Sequence, residues 1–372
     1  MLVGLSVRRS RFCEWLGDRI DKSIACIVNS GRDLKIIMSF VFADLFAGIG
    51  GFRIALESIG GECAFSSEWD KYAQMTYKAN FGDVPLGDIT QIEPSSIPDI
   101  DILTAGFPCQ PFSSIGKREG FEHPTQGTLF YDVVKILKEK KPKAFILENV
   151  EGLVTHDSGK TLKIILDTLS ISINGQYLFF SQSDVRYHIF WSILDAKDYG
   201  VPQVRKRIFI VGISEDVSRD VPSFTFPSPN RNKEYIGSYV EENIIGYSIS
   251  KHLQDSYLFK LDDGKPELID RNSKIQVKTL CSTYHKIQRL TGTFVKDGET
   301  GIRLLSENEC KSIMGYPQSF IIPVSRTQMY RQFGNSVAVP VVRQVAINLV
   351  NSLGKHKVVS DNFNQKRRLI SV

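Results

Sequence analysis

FVFADLFAGIGGFRIALESIG, residues 40–60, decides the fold. FVFADLF (40–46) is a short apolar run of β-forming residues, and the glycines at 48, 50 and 51 follow where a strand hands over to a helix. The next stretch, 51–59, repeats its apolar residues at helical intervals. Strand, glycine turn and helix in that order open a βαβ unit, and the turn lets a ligand approach the backbone closely. A dinucleotide fingerprint would need a small residue at 53. Arg53 stands there, which disfavours pyrophosphate and leaves an adenosine ligand without pyrophosphate open.

The same texture continues outward. CAFSSEW (63–69), DILTAGF (101–107), AFILENV (144–150) and RIFIVGI (207–213) read as further strands, with helices predicted over 51–59, 70–79, 128–140 and 159–170. This alternation predicts an α/β fold, a doubly wound and mostly parallel sheet, over residues 38–229. FTFPSPNRN (224–232) reads as a linker. Residues 230–306 are expected to form a smaller, irregular strand-and-loop domain. Near its end Lys274, Lys278, Lys286, Arg289, Lys296 and Arg303 face only Asp297 and Glu299, a surface suited to phosphate. In 307–372, VAVPVVRQVAINLV (337–350) puts Val341, Val345 and Leu349 on one helical face that packs back on the sheet. Residues 1–37, before Met38, are expected to be either a small helical extension or sequence upstream of the start.

Composition sets bounds. The 372 residues, 42% hydrophobic and 23% charged, exclude disordered and disulfide-stapled classes. A net charge of +5 is too mild to identify a polyanionic partner alone. The six cysteines (13, 26, 63, 109, 281, 310) form no CxxC pair and the histidines are dispersed, so neither a disulfide frame nor a metal site is expected, and a reducing cytoplasm fits. No apolar run approaches the roughly 18 residues of a membrane helix, so no membrane association is expected.

Chemistry concentrates at the carboxyl ends of the strands, where open α/β sheets bind ligands. Glu68, 20 residues past Gly48, is placed to take ribose hydroxyls, Trp69 to lie against an adenine, and Asp88 ends the GDIT turn. Cys109, between Pro108 and Gln110 in the loop-like GFPCQPFSSIGK (106–117), is a nucleophile, whereas Cys13, Cys26, Cys63, Cys281 and Cys310 read as small buried hydrophobes. A thiol of pKa about 8.5 needs positive charge nearby, for which Lys117, Arg205 and Arg207 are available. Glu148 ends an apolar strand, where burial would let it keep a proton; alternatively it caps the next helix. Gln203, Arg205 and Arg207 alternate in QVRKR and would share one strand face.

DLFAGIGG, EWD, GDIT, GFPCQPFS, ENV, QVRKR, RLLSENECKSIMGYP (303–317) and QFGNS (332–336), in this order, resemble the cytosine-5 DNA methyltransferases of bacterial restriction-modification systems over roughly 40–350. GFEHPTQGT (120–128) and STYHKIQRLTGTFVKDGETG (282–301) look like a member whose target is CCGG. The resemblance implies a methyltransferase-type Rossmann-like fold with S-adenosylmethionine at the glycine turn. Phe46, Gly48 and Gly50 would line it, Glu68 would hold the ribose, Trp69, Asp88 and Ile89 the adenine, and Leu129 and Asn335 would complete the pocket. It also implies catalysis by Cys109, Glu148, Arg205 and Arg207 on a cytosine flipped out of double-stranded DNA, with the loop 108–127 as a lid. The DNA contacts implied are Gln110, Ser113, Lys117 and Gln203, and in the second domain Thr279, Ser282, Tyr284, His285, Lys286, Gln288, Arg289 and Thr293, with Arg289 suited to guanine and Gln288 to a base edge. A monomer is expected. Competing readings are a tRNA cytosine-5 methyltransferase of the same fold, a non-catalytic DNA-binding remnant and, more distantly, a nicotinamide-dependent oxidoreductase.

Overall fold

The computed structural model describes residues 24–30, 33–108, 129–178, 185–230 and 232–369.

Strands β1 (Ile24–Ser30) and β2 (Asp33–Met38) pair antiparallel. The N-terminal segment, for which a small helical extension was one of two expectations, contains a β-hairpin instead of a helix there, in keeping with its β-branched and apolar IACIVNS and DLKIIM runs.

The centre of the molecule is one eight-stranded sheet. In chain order its strands are β3 (Phe40–Leu45), β4 (Gly61–Ser67), β5 (Ile102–Gly106), β6 (Ala144–Val150), β7 (Ser170–Ile173), β8 (Gln176–Tyr177), β9 (Tyr187–Asp195) and β10 (Lys206–Ser214). Their spatial order is β4-β3-β5-β6-β10-β9-β7-β8. β4, β3, β5 and β6 run parallel, joined by α1 (Gly51–Glu57), α2 (Lys71–Phe81) and α3 (Leu129–Lys140). α4 (Lys160–Leu169) follows β6.

β10 departs from the parallel expectation, since it lies antiparallel to both β6 and β9. A parallel return needs a crossover of about a dozen residues or more, and the segment 196–205 between β9 and β10 is a hairpin connection. This inversion places the first residues of β10 beside the last residues of β6, with Arg207 opposite Val150.

Both faces are covered. Phe42, Ile102, Ile146, Phe209 and Val211 point into one buried cluster, and Ala43, Leu103, Phe145, Leu147 and Ile210 into the other. Neighbours in sequence fall in opposite clusters, the period of two that a sheet imposes. The second cluster is closed by Val133, Ile136 and Leu137 of α3 and Ile165 and Leu169 of α4. The first is closed by α1 and by Val341, Val342, Val345 and Leu349 of the last helix, α7 (Val339–Leu369).

The irregular region after 230 carries β11 (Glu267–Ile269) and β12 (Thr293–Val295), paired in parallel. Its Ile269, Leu280, Tyr284, Phe294 and Leu304 belong to the same buried cluster as the first face of the sheet. The chain then forms α5 (Glu307–Met314) and α6 (Arg326–Asn335) before α7. Arg326–Gly354 is long and apolar enough by composition to cross a bilayer, a stretch the run-length reading passed over. Its apolar side chains Met329, Phe333, Val342, Val345 and Leu349 are buried in the core, which accounts for that composition.

Candidate active site

The strand order puts the ends of β3, β4, β5 and β6 and the start of β10 along one sheet edge. Gly106, the last residue of β5, is in register with Glu148 of β6. A Cβ on Gly106 would lie 3.7 Å from Glu148 Oε2, so the carboxylate lies alongside the point where the chain leaves β5. Cys109, three residues on, lies outside the described residues, as do Gln110, Ser113, Lys117 and most of the expected lid 108–127. The described end of that segment is fixed by Asn149, whose Nδ2 donates to Phe107 O at 2.9 Å and whose Oδ1 accepts from Val150 N at 2.8 Å. Asn149, within the quoted ENV, had no assigned role; its side-chain amide in a buried strand was the available signal.

Glu148 is buried and accepts from Arg207 Nε, Nε to Oε1 being 3.0 Å. Burial pushes its pKa above the usual carboxylate value, against the pull of the Arg207 and Arg205 charges. This is the environment of a carboxyl able to hold a proton beside a cation. Capping the next helix is not its role, since the turn Glu151–Val154 has no side-chain cap.

Arg205 corrects the sequence reading. It is buried, with Nη1 donating to Leu280 O at 3.2 Å and Nη2 to Gly334 O at 3.0 Å and to Ser336 O. Desolvation lowers its pKa to about 9. Its terminal nitrogens are thus committed to three carbonyls, and it ties β10 to the irregular region and to the turn after α6. Gln203 is corrected likewise: fully buried, it donates to Ile313 O at 2.8 Å and accepts from Leu280 N at 2.9 Å, so it cannot reach DNA.

At the other end of the edge, Phe46, Gly48 and Gly50 all have φ in the left-handed region, at 56°, 55° and 85°. For Phe46 that conformation is unusual and locally strained. The two glycines serve different ends. A Cβ on Gly50 would come within 2.3 Å of the Phe81 ring, so packing dictates glycine there. Above Gly48 there is open space, its nearest neighbour being Phe46 O at 4.0 Å. Glu68 is buried, its pKa raised by desolvation, and it accepts from Gly48 N at 2.8 Å and Asp70 N at 2.7 Å. Trp69 beside it is 78% exposed. A bridge between Ser67 and Leu86 brings the next turn alongside, with Asp88 accepting from Thr90 N at 3.0 Å and Ile89 buried beneath. Leu129 begins α3, half-buried, and Asn335 ends α6, exposed. A floor without a side chain at Gly48, a buried carboxylate and an uncovered indole fit an adenosine-bearing ligand.

One further residue was passed over. Asp44, inside the quoted motif, is fully buried; Oδ1 accepts from Thr104 Oγ1 at 3.0 Å, Oδ2 has no partner, and burial pushes its pKa up to about 7. An acid in the middle of FVFADLF was the signal.

In the irregular region, four of the expected DNA contacts are instead scaffold. Arg289 is buried and its guanidinium donates to Leu258 O at 2.9 Å, Leu261 O at 3.1 Å and both oxygens of Asp263. Tyr284 is buried and donates to Thr293 O at 2.6 Å. Thr293 is buried with Oγ1 on Glu267 at 2.5 Å, and Thr279 Oγ1 donates to Val204 O at 2.7 Å. Ser282, His285 and Lys286 remain accessible. With Thr283 and with Thr327 and Arg331 of α6 they line a cavity of about 340 Å³. No carboxylate lines it, and Lys286 and Arg331 are exposed without an acidic partner among the described residues. Sequence reading missed Thr327 and Arg331 because they lie some forty residues away on another element.

Cys63 and Cys281 are half-buried and Cys310 is buried, none of them in a disulfide; Cys13 and the side chain of Cys26 lie outside the described residues. Among the described residues no cluster of His, Cys, Asp and Glu could hold a metal.

Residues 40–351 match the C-5 cytosine-specific DNA methylase family, and the chain belongs to it. It is an enzyme of that class, a DNA methyltransferase acting on carbon 5 of cytosine. Among curated relatives it is 58% identical to the Type II methyltransferase M.MspI of Moraxella sp. over 87% of this chain and 74% of that one. It is 56% identical to M.BsuFI of Bacillus subtilis over 83% and 72%. M.HhaI of Haemophilus parahaemolyticus is 39% identical over 86% of this chain and 97% of its own. Solved structures of a methyltransferase from Entamoeba histolytica (TM-score 0.65, 21% identity, 85% and 99% coverage) and of the Dnmt2 methyltransferase of S. pombe (0.62, 19%, 83% and 98%) share the fold.

Proposed function

We propose that this enzyme methylates carbon 5 of a cytosine within a short palindromic duplex site, CCGG, as the protecting partner in a restriction-modification system. It would act in the cytoplasm as a monomer. The observation that carries the reading is the Glu148–Arg207 pair, held at the edge where β5 hands over to the segment bearing Cys109. The similarity to M.MspI supports CCGG.

Carbon 5 of cytosine is a poor nucleophile. Addition of the Cys109 thiolate to carbon 6 turns the ring into an enamine, with Glu148 holding a proton at ring nitrogen 3 and Arg207 donating to the carbonyl oxygen. Gly48, Glu68 and Trp69 would hold S-adenosylmethionine, whose sulfonium would supply the methyl group to carbon 5 and be left as a neutral thioether. Loss of the carbon 5 proton and departure of the sulfur restore aromaticity. The target base must leave the stack, at a cost of roughly a few kcal/mol. In this division residues 38–229 form the catalytic domain, 230–306 the recognition domain and 307–372 the hinge and returning helix. The cavity lined by Lys286 and Arg331 seats a backbone phosphate.

Bisulfite sequencing of plasmid DNA from cells expressing the gene tests this reading. Conversion-resistant cytosines are expected in CCGG sites, and none with Cys109→Ser. Purified protein given labelled S-adenosylmethionine should label duplex DNA; labelling of tRNA alone would overturn the assignment.

A further inference from the structure

We infer that Gln288 recognises a guanine edge in the major groove through its amide N–H groups alone. The inference rests on the proposed action on duplex DNA and adds which base is read and by which atoms.

Gln288 is exposed at the tip of a loop whose flanks are fastened on both sides. Before it, the buried Tyr284 donates to Thr293 O and accepts from Leu305 N at 3.1 Å. After it, the Arg289 guanidinium is fixed on Leu258, Leu261 and Asp263. Gly292 N closes the turn onto Gln288 O at 2.8 Å, and a Cβ on Gly292 would come within 2.7 Å of that oxygen. Ile287 is held at φ 55°, a left-handed conformation that a β-branched residue adopts only under constraint. The buried side chains expected to touch DNA are thus what holds Gln288 in place.

The orientation of its amide gives the specificity. Thr283 Oγ1 and Thr291 Oγ1 both donate to Gln288 Oε1, each at 3.1 Å. Both lone pairs of that oxygen are occupied, which leaves the NH₂ group to face outward. The usual pairing of glutamine with adenine needs Oε1 to accept from the N6 amino group, and that is blocked here. Cytosine presents a donor and is repelled. Guanine presents two acceptors, O6 and N7, which two N–H groups can meet together.

The test starts from the site that bisulfite sequencing finds for the wild-type enzyme. Duplexes are made with each of its guanines in turn replaced by 7-deazaguanine, which lacks the N7 acceptor. At one position wild-type kcat/KM should fall roughly 10-fold, within the range of a direct base contact. Gln288→Ala should be slower on the unmodified duplex and suffer no further loss at that position. Gln288→Glu, of the same shape but with acceptors in place of donors, should be slower still. An equal 7-deazaguanine penalty in wild type and Gln288→Ala would overturn the inference. So would a target without guanine, or a loss in Gln288→Ala that is uniform across sequences, the mark of a phosphate contact. If wild-type enzyme labels no duplex at all, the proposed function fails before the inference is reached.

Discussion

Glu148 sits between opposing influences: burial favours its neutral form, and the Arg207 guanidinium 3.0 Å away favours the ionised one. Burial dominates, so the proton is retained to higher pH than on an ordinary carboxyl. If it is this proton that ring nitrogen 3 receives, kcat/KM is full below the raised pKa and declines as pH rises through it. Glu148→Gln should lower kcat about 100-fold or more and abolish that alkaline decline, measured as a pH–rate profile with labelled cofactor. An unchanged profile would detach Glu148 from the ionisation. Single residues also mark where sequence reading stops. Arg205 and Arg207 are two positions apart in QVRKR, yet one is sealed among carbonyls and the other meets a carboxylate. Burial and partners distinguish them, and neither is written in the motif.

At the level of elements, α5 begins with a capping box in which Ser306 and Glu309 satisfy each other's backbone groups. Glu309 is fully buried and takes two bonds of 2.8 Å from Arg303, which is also fully buried and holds Asp297 as well. Removing one member leaves an uncompensated buried charge. Arg303→Met should therefore destabilise the protein by about 3–5 kcal/mol in urea unfolding, and adding Glu309→Gln should recover part of the loss. Additive losses would show that the two are not coupled. The strands and helices read from apolar periodicity are present to within a few residues: AFILENV is β6, and the helix predicted over 159–170 is α4 at Lys160–Leu169. Strand β9 was missed although YHIFWSILD is largely apolar, and the orientation of β10 was not legible because it depends on the length of a connection rather than on the strand's own residues.

For the whole molecule, the question is how a chain with a net charge of only +5 holds a polyanion. The proposed phosphate seat supplies an answer that salt dependence can test. Lys286 comes from the irregular region and Arg331 from α6, and they meet at one cavity with no carboxylate in its lining. Each phosphate neutralised contributes about −0.9 to the slope of log K against log salt. The double variant Lys286→Ala/Arg331→Ala should reduce the slope of DNA binding by about one, for the phosphate the two cations share, with the ratio of target to non-target affinity unchanged. A slope equal to wild type would place the phosphate elsewhere.

By itself, the sequence determined the α/β class and the order of the strands and helices it read, because apolar periodicity and glycine turns are local properties of the chain. Tertiary structure alone decided which polar residues of the motifs face outward. Gln203, Arg205 and Arg289 are as polar as Arg207 and Gln288, but they are held by hydrogen bonds to backbone groups up to 131 residues away, and Arg289 by the Asp263 carboxylate as well. Hydrogen-bond partners at such separation are set by packing, which no window of sequence contains.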